Sequence, residues 1–566
     1  MFNMASADTI TMDLNDQSTI ATGGDSLPTP LSLKAILSPS SVLNVLVIWL
    51  GYRVLLALYN ISPFHPLYKF PGPKIAAATF LYEAWYDWIL EGQYTNRIRE
   101  MHRVYGPIIR ISPHEIHVST PSFADEVYPS SSSLRIRDKS QHQLNTGGAG
   151  PVSVTGFSTV SHELHRLKRA PLSKFFSRSQ MLLLEGEVTD HSRRVINKLL
   201  RIGTSTTENK VQDVKEAFNC FTADVIAQYC FGESLGFVDQ ENGWEPNFAT
   251  WTSSFMRAAY GMRNNTLMRK SASALPFLAR KNLLGEDVRK VMEVMEVLVP
   301  DFLRKALGNE AKDGKGGIFA DIMRSMSDNG KKKLTDEEMY WLSGEGFNFL
   351  LAGTETTAAI LTTITFWLLA KPQVYDRLMT DLNTLSPETI KWTDLEQKPY
   401  MWAVVHEALR MMPGVSHRSA RVARTEDLVF KDRKNGDKEW VIPRGTPVGM
   451  TSMIQHWDEE LFPQPDDFLP ERWLVTEKDG DGKMMVKPDY KLQKNLLAFG
   501  KAGHGRACIG ESLAYCEVYI MAALMAFHVI PRAKLVDTTR ENFDYDHDMI
   551  VPQTKFGSIS CKIAIQ

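Results

Sequence analysis

Cysteine is scarce in this chain. Five thiols (Cys220, Cys230, Cys508, Cys516 and Cys561) occur at irregular spacing in 566 residues, and no Cys-x-x-Cys pair is present. That excludes a disulfide framework and argues against a cysteine-rich zinc site, so a reducing compartment suits the folded part. An excess of one charge is missing too: 64 Lys and Arg nearly balance 66 Asp and Glu. Nothing in the global charge therefore points to nucleic acid or another polyanion. There is no internal repeat and no second composition regime. A Gly-x-Gly-x-x-Gly dinucleotide fingerprint is also lacking.

Long hydrophobic runs are rare, with one exception near the start. Residues 1–33 are rich in Ser, Thr, Asp and Gly and read as a disordered tail. Val42 to Leu58 is an almost unbroken apolar run, broken only by Asn44 and Arg53. Its length reaches the lower limit for a membrane span, and it stands too far from the start to read as a signal peptide. An uncleaved anchor over residues 34–60 is the expectation, with a buried core helix as the alternative. Basic residues (Arg53, Lys69, Lys74) follow the run while acidic ones precede it, which keeps the C-terminal side cytosolic and the tail lumenal. Pro63, Pro66, Pro71 and Pro73 make residues 61–79 a stiff hinge. Asn60-Ile61-Ser62 matches a glycosylation sequon, but this topology puts it on the wrong side, so chance explains it.

From residue 80 to 566 the pattern is mostly helical and reads as one large, mainly α domain with small β-sheets. Helices are expected at Thr79–Arg103, Leu182–Leu200, Val214–Cys230, Asp287–Leu307, Thr335–Ala370 and Glu511–Phe527. Strand-like runs lie around Ile108–Ile111, Ile116–Val118, Leu428–Phe430, Thr446–Met450 and Ala526–Ile530. Polar stretches at Gly308–Gly317 and Thr476–Lys483 read as surface loops.

The stretch from Phe499 to Gly510 carries the chemistry. A single cysteine, Cys508, follows a glycine-containing loop and opens an apolar helix. Free N–H groups and the helix dipole at such a terminus favour sulfur as an anion. Glycines let the backbone approach a flat cofactor, and Arg506 could face an anionic group such as a haem propionate. A haem iron held by one thiolate fits this arrangement; a buried structural cysteine is the plainer alternative. In the long apolar helix, Glu355 and Thr356 put an acid beside a hydroxyl, a pair able to relay protons to bound dioxygen. Gly353 just before them would allow close approach of a cofactor, with a local helix break there. The plainer reading has the threonines bonding back to their own helix. Glu407 and Arg410, three apart on one helix face, can pair, and Arg472 is a candidate third member. His165 and Arg169 lie in a basic cluster that could bind cofactor carboxylates or simply face solvent. Lys491, Lys494 and Lys501 could form a positive patch for an acidic electron donor.

Five elements occur in order: the anchor with its proline hinge, Ala-Gly-x-Glu-Thr-Thr, Glu-x-x-Arg, Pro-Glu-Arg-Trp and the cysteine loop. Together they resemble the cytochrome P-450 monooxygenases over nearly everything after residue 42. The hinge and the run Gly414 to Arg418 look most like microsomal fungal members of secondary metabolism. The resemblance implies a cytochrome P-450 fold and haem b (iron protoporphyrin IX) with Cys508 as the axial iron ligand. It also implies oxygen activation by Glu355 and Thr356, a structural triad of Glu407, Arg410 and Arg472, and propionate contacts from Arg169, Arg506 and Arg418. His165 stands where many members carry tryptophan. Electrons would come from NADPH through a separate NADPH–cytochrome P-450 reductase, with cytochrome b5 as an optional second donor. The setting would be the endoplasmic reticulum membrane: a single pass, lipid contact and a cytosolic catalytic domain. The reaction would insert one oxygen atom into a small apolar molecule such as a terpenoid or polyketide. Phe347, Phe349, Val415 and Ser416 are the expected substrate contacts. A haem-thiolate dehydratase, isomerase or coupling enzyme, or a non-catalytic haem protein, are the alternatives. One departure stands out. The family's phenylalanine usually lies seven residues before the cysteine and a glycine four before it. Here Phe499 lies nine before and His504 takes the glycine's place, which puts the packing of Phe499 against the sulfur in question.

Overall fold

The computed structural model describes residues 39–131, 134–147, 150–205, 211–241, 243–274, 285–309, 316–328, 331–478, 484–501 and 503–566. The 1–33 tail and parts of both polar stretches lie outside these. Two units separate in the chain, residues 1–58 and 59–566. Helix α1 (Pro39–Ile61), most of which lies in the first unit, has none of its apolar stretch buried. Its 23 residues extend about 34 Å at the rise of an α-helix, enough for a hydrocarbon core. Two other helical segments among the described residues are also long and apolar enough to span a membrane, 336–370 and 511–532, but they are largely buried in the second unit. Composition alone does not separate them from an anchor; burial does.

In the second unit, α2 (Tyr94–Tyr105) is followed by β1 (Ile108–Arg110), β2 (Ile116–Val118) and β3 (Arg137–Lys139). The expected helix Thr79–Arg103 is interrupted at residues 90–93, where Glu91 and Gly92 both take positive φ. Gly92 is required there, because a Cβ would lie 1.9 Å from the Asp548 carbonyl oxygen. Next come α3 (His162–Ser173), α4 (Arg178–Thr204), β4 (Val211–Asp213), α5 (Val214–Phe231) and α6 (Phe248–Asn264).

The organising element is α7 (Asp336–Ala370), 35 residues long. Thr335 caps it with a reciprocal Glu338 pair, and Asp336 and Glu337 suit the dipole of its first turn. Glycines set how closely neighbours approach it. A Cβ on Gly344 would lie 2.3 Å from the Pro151 carbonyl oxygen, and one on Gly346 would lie 2.9 Å from Val299. The helix runs unbroken past Gly353, so the expected local opening does not occur.

After α7 come α8 (Pro399–Met411), β5 (Arg421–Ala423), the hairpin β6 (Leu428–Asp432) and β7 (Lys438–Ile442), and β8 (Pro447–Gly449). The main sheet has the order β1-β2-β8-β5-β3, antiparallel except for the β2–β8 pair. Strands β9 (Leu474–Lys478) and β10 (Met484–Pro488) pair where a surface loop was expected from residue 476. Helix α9 (Glu511–Leu524) continues as a π turn over Met525–Val529, so Ala526–Ile530 is helical rather than strand. Its apolar residues extend the buried face of α9. Strands β11 (Ala533–Leu535), β12 (His547–Met549), β13 (Val551–Gln553) and β14 (Lys562–Ile565) close the chain. One hydrophobic core links α4, α5, α7, α8 and α9.

Candidate active site

Cys508 stands just ahead of α9. Its amide donates to the Phe499 carbonyl at 2.8 Å, closing the loop between them. His456 fixes the loop's near end: its Nε2 accepts from the Leu497 amide at 2.8 Å, and its Nδ1 faces the Arg410 carbonyl at 2.9 Å. The extra length is absorbed outward. The Gly503 carbonyl accepts from Ser131 N–H at 2.8 Å, and Lys501 reaches Asp125 at 3.1 Å. His504 turns inward, buried, with Nδ1 2.9 Å from the Pro129 carbonyl. The Phe499 ring packs on Tyr515 at 5.1 Å.

Cys508 keeps accessible surface although its thiol is desolvated by the protein atoms around it. Burial pushes its thiol pKa up, the Gly510 N–H pulls it down, Glu511 adds to the rise and Arg169 opposes it.

Beside the loop lies a buried cluster of cations. Arg169 donates to the Ala507 carbonyl at 2.8 Å, and Arg506 donates to the carbonyls of Thr159 and Val160 at 2.8 and 2.7 Å. Arg421 on β5 joins them, its Nε 3.4 Å from His504 Nε2 and its strand position directly opposite Lys139. Like charges opposed across a sheet are unfavourable unless an anion offsets them. Burial brings Arg506 down to about 9, with Arg421 contributing. Burial and the neighbouring cations Arg506, Lys139 and Arg169 bring His165 down to about 2. Arg506 Nε and His162 Nδ1 are buried without a partner. A dianionic cofactor edge is what this donor set lacks, so the residues present fit haem carboxylates.

Arg418 is not brought to that cluster. Its guanidinium is fully buried 2.6 Å from Glu83 and 3.0 Å from Glu115, and Arg421 occupies the position expected of it. Gly353 faces Ile226 of α5, where a Cβ would lie 3.1 Å from Cγ1, and so serves helix packing on its buried side. Phe347 packs on Phe248, and Phe349 packs on Phe176 and Phe319; both are core. The Ser416 hydroxyl is bound to Asp548 at 2.9 Å, while Val415 stays exposed.

Glu355 and Thr356 do come together. With Ser558, Met412 and Gly414 they line a cavity of about 10 Å³, close to the volume one water needs. Ser558 donates to Glu355 at 3.2 Å, and the ammonium of buried Lys215 lies 3.6 Å away. Thr356 donates to the Ala352 carbonyl at 2.7 Å. Sequence reasoning missed Lys215 and Arg421. The apolar stretch around Lys215 was the available signal for the first; an arginine three after Arg418 was the signal for the second.

Glu407, Arg410 and Arg472 come together. Both Glu407 oxygens lie 2.9 Å from Arg410 nitrogens, and Arg472 Nε lies 3.2 Å away. Trp473 Nε1 and the Leu469 amide also donate to this carboxylate, so the buried pair has the further partners it needs.

A long helix with an acid–hydroxyl pair, a cysteine ahead of a second buried helix and a cluster of arginines beside that cysteine suit a haem-thiolate protein. The cytochrome P-450 family model matches residues 71–543, and the chain belongs to that family. The cytochrome P-450 monooxygenase ppzE of Metarhizium majus is 35% identical over 82% of this chain and 94% of its own length. The monooxygenase oblB of Cochliobolus heterostrophus is 31% identical over 93% and 97%. Tryptophan 6-hydroxylase fscE of Fusarium equiseti is 32% identical over 89% and 93%. This is a fungal-type monooxygenase of secondary metabolism.

Proposed function

We propose that the protein holds haem b through Cys508 and inserts one atom of dioxygen into a small, mainly apolar molecule, with electrons from NADPH through a separate reductase and optionally cytochrome b5. When bound, the haem supplies dioxygen binding and the thiolate's electron push, which favours O–O cleavage. Arg169, Arg506 and Arg421 would neutralise its carboxylates, and the uncharged ring of His165 would offer a hydrogen bond. Glu355 is held by Lys215 and Ser558 at the wall of a cavity with room for about one water. From there a proton can pass by that water to Thr356, whose hydroxyl turns away from the Ala352 carbonyl to hand it on. Phe347 and Phe349 support the site from the core, and Val415 and Ser416 border it. The family implies a redox partner and a small-molecule substrate; α1, read as a single-pass anchor in the endoplasmic reticulum with the catalytic unit in the cytosol, supports the membrane reductase as that partner.

The cluster of Arg169, Arg506 and Arg421 beside Cys508, with Arg506 Nε lacking a partner, carries the reading. The test is spectroscopic: the reduced, carbon-monoxide-bound holoprotein should show the red-shifted Soret band of thiolate ligation, and product should carry one labelled oxygen from dioxygen. A Cys508→Ala protein that kept that band would contradict the assignment.

A further inference from the structure

A second, larger cleft lies between α4 and the loop that follows α5. It offers about 630 Å³ and is lined by Arg194, Asn197, Lys198, Arg201 and residues 238–241, none of which borders the cavity of Glu355 and Thr356. The four helix residues stand at i, i+3, i+4 and i+7, which is one face of α4. The opposite wall is held in place. The buried Asp224 carboxylate accepts from the Phe237 and Val238 amides at 3.1 and 2.8 Å. Lys198 donates to the Val238 and Gln240 carbonyls at 3.0 and 2.8 Å, with the Trp244 ring centre 4.3 Å from its ammonium. A wall fixed this way is ordered before any ligand arrives, which lowers the cost of binding. The charges of the cleft are unequal: three cations stand against the carboxylates of Asp239 and Glu241. Arg194 is taken by Asp239 at 2.6 Å. Lys198 is only 6% exposed and meets carbonyls but no carboxylate, and the exposed Arg201 guanidinium meets no acceptor among the described residues. Burial lowers the Lys198 pKa, Cys220 opposes the fall and Arg201 adds to it, so the two cations repel each other. A further anion would relieve both.

We propose that this cleft binds a hydroxyl-bearing phosphate ester of about nucleotide size, with its phosphate on Lys198 and Arg201 and its hydroxyls on Asp239 and Glu241. A guanidinium fork suits phosphate oxygens, and a lysine ammonium adds a point charge beside it. Carboxylates accept from neighbouring hydroxyls, as the acid of a dinucleotide site does from ribose. The cleft's size falls within the range of about 300–1,000 Å³ usual for small-molecule sites. A free nucleotide and the headgroup of an inositol phospholipid both offer this chemistry. The site goes beyond the oxygenation reading and does not depend on it.

The experiment is calorimetric titration of detergent-solubilised holoprotein with ADP, glycerophosphoinositol, adenosine and inorganic phosphate. One of the two esters should bind one-to-one, and the tighter of them identifies a soluble or a lipid source. Adenosine and inorganic phosphate, each carrying only half of the recognised groups, should bind about tenfold more weakly or worse. Arg201→Ala and Asn197→Asp, both at exposed positions, should each loosen the ester about tenfold. The first removes a charge-assisted hydrogen bond and the second sets a like charge beside the phosphate. Both variants should melt like the wild type. No binding of either ester by the wild-type protein, which needs no variant to fold, overturns the proposal; so does wild-type affinity in both variants. Inorganic phosphate binding as tightly as the esters would show an adventitious ion only. A Soret shift on adding the ester would place it at the haem and equally overturn the proposal.

Discussion

Replacing Glu407 by glutamine keeps the side chain's shape and removes only its charge and part of its accepting capacity. One carboxylate oxygen accepts from Arg410 Nη2, the Leu469 amide and Arg472 Nε, and the other from Arg410 Nε and Trp473 Nε1. Glutamine must turn its NH₂ toward one of these sets. The better orientation still sets a donor against Arg410 Nε and Trp473 Nε1. Arg410 is fully buried, so its charge is left without a counterion, a loss of about 3–5 kcal/mol for a broken buried pair. Against a typical total of about 5–15 kcal/mol this is a large share. The assay is urea unfolding of holoprotein, followed by far-ultraviolet circular dichroism and by the thiolate Soret band. Glu407→Gln should shift both midpoints down by the equivalent of about 4 kcal/mol and lower haem retention. Glu471→Gln is the control: its pair with Arg377 is half-exposed at 2.8 Å, and its change should stay within about 0.5 kcal/mol. If both variants unfold alike and like the wild type, the reasoning about the buried carboxylate is refuted.

Gly344→Ala should destabilise by about 2–3 kcal/mol and loosen azole binding, because its Cβ would meet the rigid Pro151 carbonyl at 2.3 Å. Gly353→Ala, whose Cβ would lie 3.1 Å from Cγ1 and 3.3 Å from Cβ of the stiff Ile226 side chain, should lose about 1 kcal/mol, less than Gly344→Ala, and leave the Soret spectrum unchanged; thermal melts and spectra decide both. Lys215→Met removes the cation nearest Glu355 and should slow coupled turnover about tenfold while peroxide release rises. Unchanged coupling of NADPH use to product would refute a role in proton delivery. Stability should fall as pH drops from 6.5 toward 4. Burial holds His406 and His417 down to about 4 and His456 to about 3. The unfolded chain thus takes up protons over that window while the fold refuses them, at about 1 kcal/mol per group by pH 5.5. Asp87, raised to about 7 by burial, opposes this, but three groups outweigh one. A melting temperature flat from pH 7 to 5 would refute the assignment.

Sequence periodicity finds the long buried helices because their ends carry clear signals, such as the Thr335–Glu338 cap and the dense apolar run of α5. It misplaces Ala526–Ile530 because a short apolar run reads equally as strand or helix, and only packing on the α9 face decides. It finds Cys508 and the Glu407 group because their spacing is local. Apolar character alone makes Phe347 and Phe349 candidates for substrate contact, but the helix phase turns them to the core. Arg421 in place of Arg418 was not legible, since the choice depends on Glu83 and Glu115 meeting Arg418 across more than three hundred residues.

The glycine contacts of α7 bear on how this protein could change its diet. A rod pinned by the Pro151 loop, by Val299 and by Ile226 has no room to slide sideways for a bulkier guest. Adaptation to a new molecule must then fall on the side chains it shows to that guest. Ala352, the smallest exposed one at mid-length, is the position where a single added methyl group would reshape what can enter.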